Sequence, residues 1–152
     1  MGAAKELATV ALEPGQAFDL WTDVRRWPSF VDGFAHAERL DETWPAEGAK
    51  LVWRSHQGGR GVVSERVLRS ERGAELVTQV LEERMTGTQT IRFEPAADGG
   101  TDVRLELEYS LTSRGPFAGL TDFFFIRRAQ TDSLRRTLRR FSTEAAEEAT
   151  LS

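Results

Sequence analysis

Arg66, in the strand-like run Val62-Val63-Ser64-Glu65-Arg66, is the residue best suited to chemistry in this sequence. A guanidinium held in a fixed place can stabilise an oxyanion or enolate as its charge develops, because it offers several N–H donors and never loses its charge. For the same reason it cannot serve as the base. The face that Arg66 takes is open, since Val63 and Val67 fit a buried face of the same run and would turn Arg66 and Ser64 outward. Tyr109, the sole tyrosine, alternates with Leu107 and Leu111 and so belongs to an inner face. Its hydroxyl has two possible partners, a ligand carbonyl or a backbone group within a core. Arg127 and Thr131 interrupt an apolar helical stripe between Phe124 and Leu134. Either they line a wet cavity, or Arg127 extends to solvent while Thr131 bonds its own helix carbonyl.

Other chemistries have little to build on. With 0 cysteines, disulfides, thiolate metal sites and a cysteine nucleophile are excluded. His36 and His56, the two histidines, have no His, Asp or Glu partner at the tight spacing of a helical metal motif, so neither a metal nor an organic cofactor is expected. No Gly-x-Ser-x-Gly elbow occurs, and Gly58-Gly59-Arg60-Gly61 lies between strands rather than opening a helix, as a hairpin turn would. A net charge of -4 argues against a nucleic-acid partner. No apolar run approaches the roughly 18 residues of a membrane span. The opening Met1-Gly2-Ala3-Ala4-Lys5-Glu6 has no apolar signal core, so a cytoplasmic protein is expected.

The elements that must position these groups follow from the periodicity. A length of 152 residues fits one domain, 1–152. A strand over 5–12 ends at Pro14, where a helix carrying Ala17, Phe18 and Trp21 begins, and a second short helix spans Val24 to Val31 with Trp27-Pro28. From Phe34 to Thr112 the chain reads as strands separated by turns. Val103 to Leu111 alternates most clearly, and Met85 to Phe93 sets Gly87, Gln89, Ile91 and Phe93 on one face. After Ser113-Arg114-Gly115-Pro116 a single long helix runs to about Glu148, striped by Leu120, Phe124, Leu134, Leu138, Phe141 and Ala145. The fold class is α+β: a curved antiparallel sheet of about seven strands wrapped on a long C-terminal helix. Such a sheet seldom closes completely on its helix, so an enclosed pocket is expected between them, with Trp27, Phe34 and Tyr109 in its lining.

The order Pro14, Phe18, Leu20-Trp21, Asp23-Val24, Trp27-Pro28-Ser29-Phe30, Gly99-Gly100-Thr101 and Gly115-Pro116-Phe117 resembles the START-like or Bet v 1-like (SRPBCC) superfamily with its helix-grip fold. Within it the sequence is most similar to the polyketide cyclase/dehydrase group, and Val62 to Arg66 looks like a pocket strand of bacterial aromatic polyketide aromatase/cyclases. The resemblance implies that Arg66 polarises a carbonyl of a poly-β-ketone chain, with Ser64 and Tyr109 hydrogen-bonding it. Trp27, Phe34, Trp53, Gln89, Phe124 and Arg127 would then bind substrate. Phe34 and Val62 stand where that group carries a pocket tyrosine and a strand tryptophan. Two functions are compatible with the resemblance: aldol cyclisation and dehydration of a polyketide, or non-enzymatic binding and transport of a lipid or other hydrophobic molecule. The partners it implies are a hydrophobic ligand and an acidic acyl carrier protein, the latter received by Arg127-Arg128, Arg135-Arg136 and Arg139-Arg140, which otherwise form a solvated helix face. A monomer or homodimer fits either function.

Overall fold

The computed structural model describes the backbone at residues 2–112 and 120–151 and the side chains at residues 2–112 and 126–151. Strand β1 (Gly2–Val10) leads into α1 (Pro14–Thr22), a 3-10 turn at Val24–Arg26 and α2 (Trp27–Phe30). Six strands follow: β2 (Phe34–Leu40), β3 (Lys50–Ser55), β4 (Val62–Glu71), β5 (Glu75–Leu81), β6 (Met85–Pro95) and β7 (Thr101–Leu111). The chain then enters α3 (Leu120–Leu151). Among the described residues the strands form one antiparallel sheet in the order β1-β7-β6-β5-β4-β3-β2, in which β1 and β7 are neighbours without being consecutive. This is the helix-grip arrangement, with α3 packed most closely on β1 and α2.

The alternation in β7 is realised residue by residue: Val103, Leu105, Leu107 and Tyr109 are buried, whereas Arg104 and Glu108 are exposed. Each fully buried leucine of this face contributes roughly 1.5–3 kcal/mol. The opposing stripe of α3 buries Leu134, Leu138, Phe141 and Ala145. Its earlier members, Leu120 and Phe124, lie outside the described side chains. Strand β1 starts at Gly2, earlier than its own residues suggest, because pairing with β7 from Gly2↔Tyr109 to Val10↔Thr101 extends it through Gly2-Ala3-Ala4, weak strand formers by themselves.

Helix α1 begins where Pro14 occupies the first turn, behind a capping box in which the Glu13 N–H donates to Gln16 Oε1 at 3.3 Å. Around its C-terminal end, Trp27 Nε1 donates to the Trp21 carbonyl at 2.7 Å and Trp44 Nε1 to the Thr22 carbonyl at 2.9 Å. These two indoles use helix-end carbonyls, and Trp27 brings its ring against Phe34 and Trp53 of the sheet while Trp44 packs on Trp27. Among the described residues no helix is long and apolar enough to cross a membrane.

Candidate functional site

Strand β4 decides which groups face α3. Val63, Glu65 and Val67 are buried on the inner face, while Arg66 is exposed and Ser64 half-buried on the outer one. There Arg66 stands opposite Lys50 and Gln79. The expectation that Arg66 and Ser64 reach into the pocket is thereby corrected. Because side chains alternate along a strand, the register that buries Val63 and Val67 carries Glu65 inward with them.

The inward carboxyl of Glu65 is 5% exposed. Its Oε2 accepts a hydrogen bond from Trp53 Nε1 at 2.8 Å and its Oε1 accepts one from Thr78 Oγ1 at 3.1 Å. Burial raises its pKa above the ordinary carboxylate value, against the opposing effects of the Trp53 bond, the Arg60 charge and the Thr78 bond. Arg60 arrives from the β3–β4 hairpin. Gly58 and Gly61 turn that hairpin at φ 83° and 79°, a conformation that side chains disfavour. The Gly61 N–H donates to Ser55 Oγ at 2.8 Å. So placed, the Arg60 guanidinium lies 5.2 Å from the centre of the Trp53 ring, and its Nε donates to Glu82 Oε2 at 2.6 Å.

These groups border a small interior cavity between the sheet and α3, with ≈ 20 Å³ open to the centre of a water molecule. Trp21, Trp27, Trp53, Arg60, Glu65 and Gln89 line it, and Ser133, Leu134 and Thr137 close it from α3. Trp27, Trp53 and Gln89 are thus brought together as expected of a pocket lining. Phe34 stands behind them with its ring centre 5.8 Å from that of Trp27 and 5.3 Å from that of Trp53, so it shapes the wall without lining the cavity. Among the described residues this space is smaller than the ligand-sized pocket expected, because the aromatic rings pack against one another there. A wider, open recess of about 450 Å³ lies on the outer face, lined by Leu7, Thr9, Arg92, Glu94, Asp102 and Arg104, and receives none of the candidate residues.

Tyr109 occupies the inner face, 2% exposed, as its alternation predicts. It does not line the small cavity; its cross-strand partners are Gly2 on one side and Gly87 on the other. A Cβ at position 2 would overlap the tyrosine ring, so glycine is what admits the ring over β1. The Tyr109 hydroxyl is buried and has no hydrogen-bond partner among the described residues. Burial raises its pKa, an effect that the charge of Arg127 partly offsets. Arg127 itself is exposed, and Thr131 Oγ1 donates to the Arg127 carbonyl at 3.0 Å, so this pair takes the solvent-facing, self-satisfied alternative rather than lining a cavity. Phe124 lies outside the described side chains.

Glu65 and Arg60 are the residues that the sequence reading passed over. The signal for Glu65 was its place midway between Val63 and Val67 at period two. For Arg60 there was none beyond a glycine-rich turn. Among the described residues no cluster of His, Asp and Glu is placed to hold a metal ion.

The sequence matches the family described as polyketide cyclase/dehydrase and lipid transport over residues 1–146. The chain belongs to this family. Its members' description supports a domain that binds hydrophobic ligands. Among solved structures it is similar to a START superfamily protein from Mycobacterium smegmatis, with a TM-score of 0.74 at 12% identity over 95% of this chain and 97% of that one. It is also similar to StfQ, a di-domain ARO/CYC of the steffimycin biosynthetic pathway, with a TM-score of 0.73 at 16% identity over 99% of this chain and 52% of that one. A protein from Thermus thermophilus matches with a TM-score of 0.71 at 15% identity, over 94% of this chain and 96% of that one. At these identities the likeness establishes the fold. No curated protein matches the chain in sequence.

Proposed function

We propose that this domain holds a hydrophobic small molecule of the polyketide or lipid class between the sheet and α3, and that the Tyr109 hydroxyl donates to a carbonyl on it. The observation that carries this reading is the hydroxyl itself, buried on the inner face with no partner among the described residues. An unpaired buried hydroxyl costs about 1–3 kcal/mol, a penalty that a bound carbonyl oxygen would remove. Phenylalanine would fill the same space without it. Membership of a family described by cyclisation, dehydration and lipid transport supports the same class of ligand.

Aldol closure and dehydration of a carrier-bound polyketide is the second reading, and the same hydroxyl favours it. A donor aimed at a carbonyl stabilises the enolate oxygen formed when the neighbouring carbon loses its proton. Arg66 and Ser64, turned outward, contribute nothing to that step. Docking of an acidic carrier protein on α3 has less to draw on, since Arg135 pairs with Glu6 and Asp132, and Arg136 and Arg140 with Asp32. Binding without turnover is therefore the reading we favour.

Native mass spectrometry of the purified protein tests it, with a retained hydrophobic ligand as the expected result. Tyr109→Phe should then raise the melting temperature of the ligand-free protein and weaken retention about tenfold. A variant that melts lower than wild type and retains ligand equally well would show the hydroxyl to be structural.

A further inference from the structure

Aspartate is followed by glycine at two places in the chain, Asp32-Gly33 and Asp98-Gly99. An aspartate before glycine can cyclise on its own backbone, because the next residue has no side chain to shield its nitrogen. Both glycines are at positive φ, 78° and 90°, and a Cβ at either would meet no atom within 4 Å among the described residues. Local geometry therefore does not separate the two pairs; their surroundings do. Asp98 and Gly99 are exposed at the turn between β6 and β7. There Asp98 Oδ1 accepts from the Gly100 N–H at 3.1 Å, and the Gly99 N–H donates to the Ala96 carbonyl at 3.2 Å. Asp32 is half-buried, and its carboxylate takes Arg136 Nε and Nη2 at 3.0 Å each and Arg140 Nη1 at 3.3 Å. The next residue is pinned as well, since the Gly33 carbonyl accepts from the His56 N–H at 2.9 Å.

We propose that Asp98-Gly99 is a site of spontaneous backbone modification, where a succinimide forms and reopens to isoaspartate, and that the Arg136 and Arg140 contacts spare Asp32-Gly33 the same reaction. In the closing step the Gly99 nitrogen bonds to the carbon of the protonated Asp98 carboxyl, the C–OH bond breaks, and the hydroxyl leaves as water with the amide proton. In the opening step one water adds to either imide carbonyl. Addition at the side-chain carbonyl restores aspartate, whereas addition at the main-chain carbonyl leaves the chain running through the side chain. No oxidant or reductant enters the balance. Closure requires the carboxyl carbon to swing over the following nitrogen. At Asp98 this gives up one hydrogen bond to the carboxylate, at an exposed turn where water replaces it. At Asp32 it breaks three, from two guanidiniums carried by α3. The proton-bearing acid is also scarcer there: partial burial works against it, yet the Arg136 and Ser133 hydrogen bonds and the Arg136 and Arg140 charges keep the Asp32 carboxyl below the ordinary carboxylate value. Isoaspartate adds one methylene to a turn that is already closed, because the Ala96 N–H donates to the Gly100 carbonyl at 2.9 Å and a Cβ at Gly100 would overlap the Val10 carbonyl. Its accumulation should loosen the β6–β7 turn where it meets β1.

The test is to age the whole chain in heavy-oxygen water at mildly acidic pH and to weigh its peptides by mass spectrometry. Each passage through the imide fixes one heavy oxygen, and chromatography separates isoaspartyl from aspartyl peptides. In the folded wild type the Asp98 peptide should take up label at least about tenfold faster than the Asp32 peptide, the factor that the additional charge-assisted hydrogen bonds at Asp32 supply. In denaturant the two should label at like rates. In the double variant Arg136→Gln, Arg140→Gln, with a melting curve to show that it folds, Asp32 should gain on Asp98. Uptake at Asp98 no faster than at Asp32 in the folded wild type overturns the inference. A difference that persists in denaturant does the same, by placing its origin in local sequence, and so does a folded double variant in which Asp32 stays protected. If the double variant does not fold, the two wild-type comparisons decide. No ligand enters the experiment, so its outcome is independent of the hydrophobic-ligand reading.

Discussion

Glu65 lies inside the grip between two valines, with no ion pair among the described residues, and its carboxyl is held above the ordinary carboxylate pKa chiefly by burial. A carboxyl that holds its proton more tightly folded than unfolded stabilises the fold fully below the unfolded value. That contribution is lost as pH rises through the raised, folded value. Glu65→Gln cannot ionise, so it should gain on wild type as pH rises. Thermal melts should place the variant above wild type at mildly alkaline pH, with the gap closing toward the acid side. Arg66→Ala, by contrast, should change stability by no more than about 0.5 kcal/mol and leave ligand retention untouched, because the side chain projects from the outer face. The inward groups Trp27, Trp53, Gln89 and Tyr109 were legible because apolar neighbours at period two or in short helices surround them. The run 62–67 was not. Both of its faces carry charge, and a glutamate buried on neutral indole and hydroxyl donors, with no ion pair among the described residues, is the outcome that general burial preferences disfavour.

Between elements, α3 is fastened to the α2–β2 connection by Asp32, whose carboxylate takes Arg136 Nε and Nη2 at 3.0 Å each and Arg140 Nη1 at 3.3 Å. The Asp32 N–H also donates to Thr137 Oγ1 at 2.9 Å. Partial burial pushes the Asp32 pKa up, but the hydrogen bonds from Arg136 and Ser133 and the charges of Arg136 and Arg140 outweigh it, so the net shift is downward. Stability from such a group is present above the unfolded value and lost as pH falls through the lowered one. Asp32→Asn should therefore cost about 1 kcal/mol at neutral pH, allowing for solvent screening of this rim pair, and almost nothing in strong acid, as chemical denaturation at the two conditions would report. The sequence shows α3 as a stripe with arginine doublets, and the stripe from Leu134 to Ala145 is buried as that pattern requires. What it could not show is that Asp32, about a hundred positions earlier, collects two of those arginines. An ion pair made by tertiary packing leaves no periodicity to read.

At the scale of the molecule, the described residues leave about 20 Å³ open between the sheet and α3 beside Trp53. Ligand pockets of 300–1,000 Å³ are typical, roughly ten times or more the space open beside Trp53. A hydrophobic ligand that occupies the space beside Trp53 is expected to need α3 and the sheet to part, and this opening then sets the pace of binding. Stopped-flow measurements should give an observed rate that levels off with ligand concentration, and an association rate constant below the usual range of roughly 10⁵–10⁷ M⁻¹s⁻¹. A rate that climbs linearly to the highest concentrations would mean that the grip is already open in solution.

The packing of the indoles has an optical consequence. Trp27 has its ring centre 6.5 Å from Trp21, 6.2 Å from Trp44 and 6.5 Å from Trp53, so all 4 tryptophans of the chain belong to one cluster. Excitation absorbed by any of them can migrate through Trp27 to Trp53, which sits beneath the Arg60 guanidinium with its N–H on the Glu65 carboxyl. The intrinsic emission of the protein is therefore a collective signal from the wall of the cavity. A quencher or energy acceptor lodged beside Trp53 should darken the whole cluster together, which makes the unlabelled protein a spectroscopic sensor of its own occupancy.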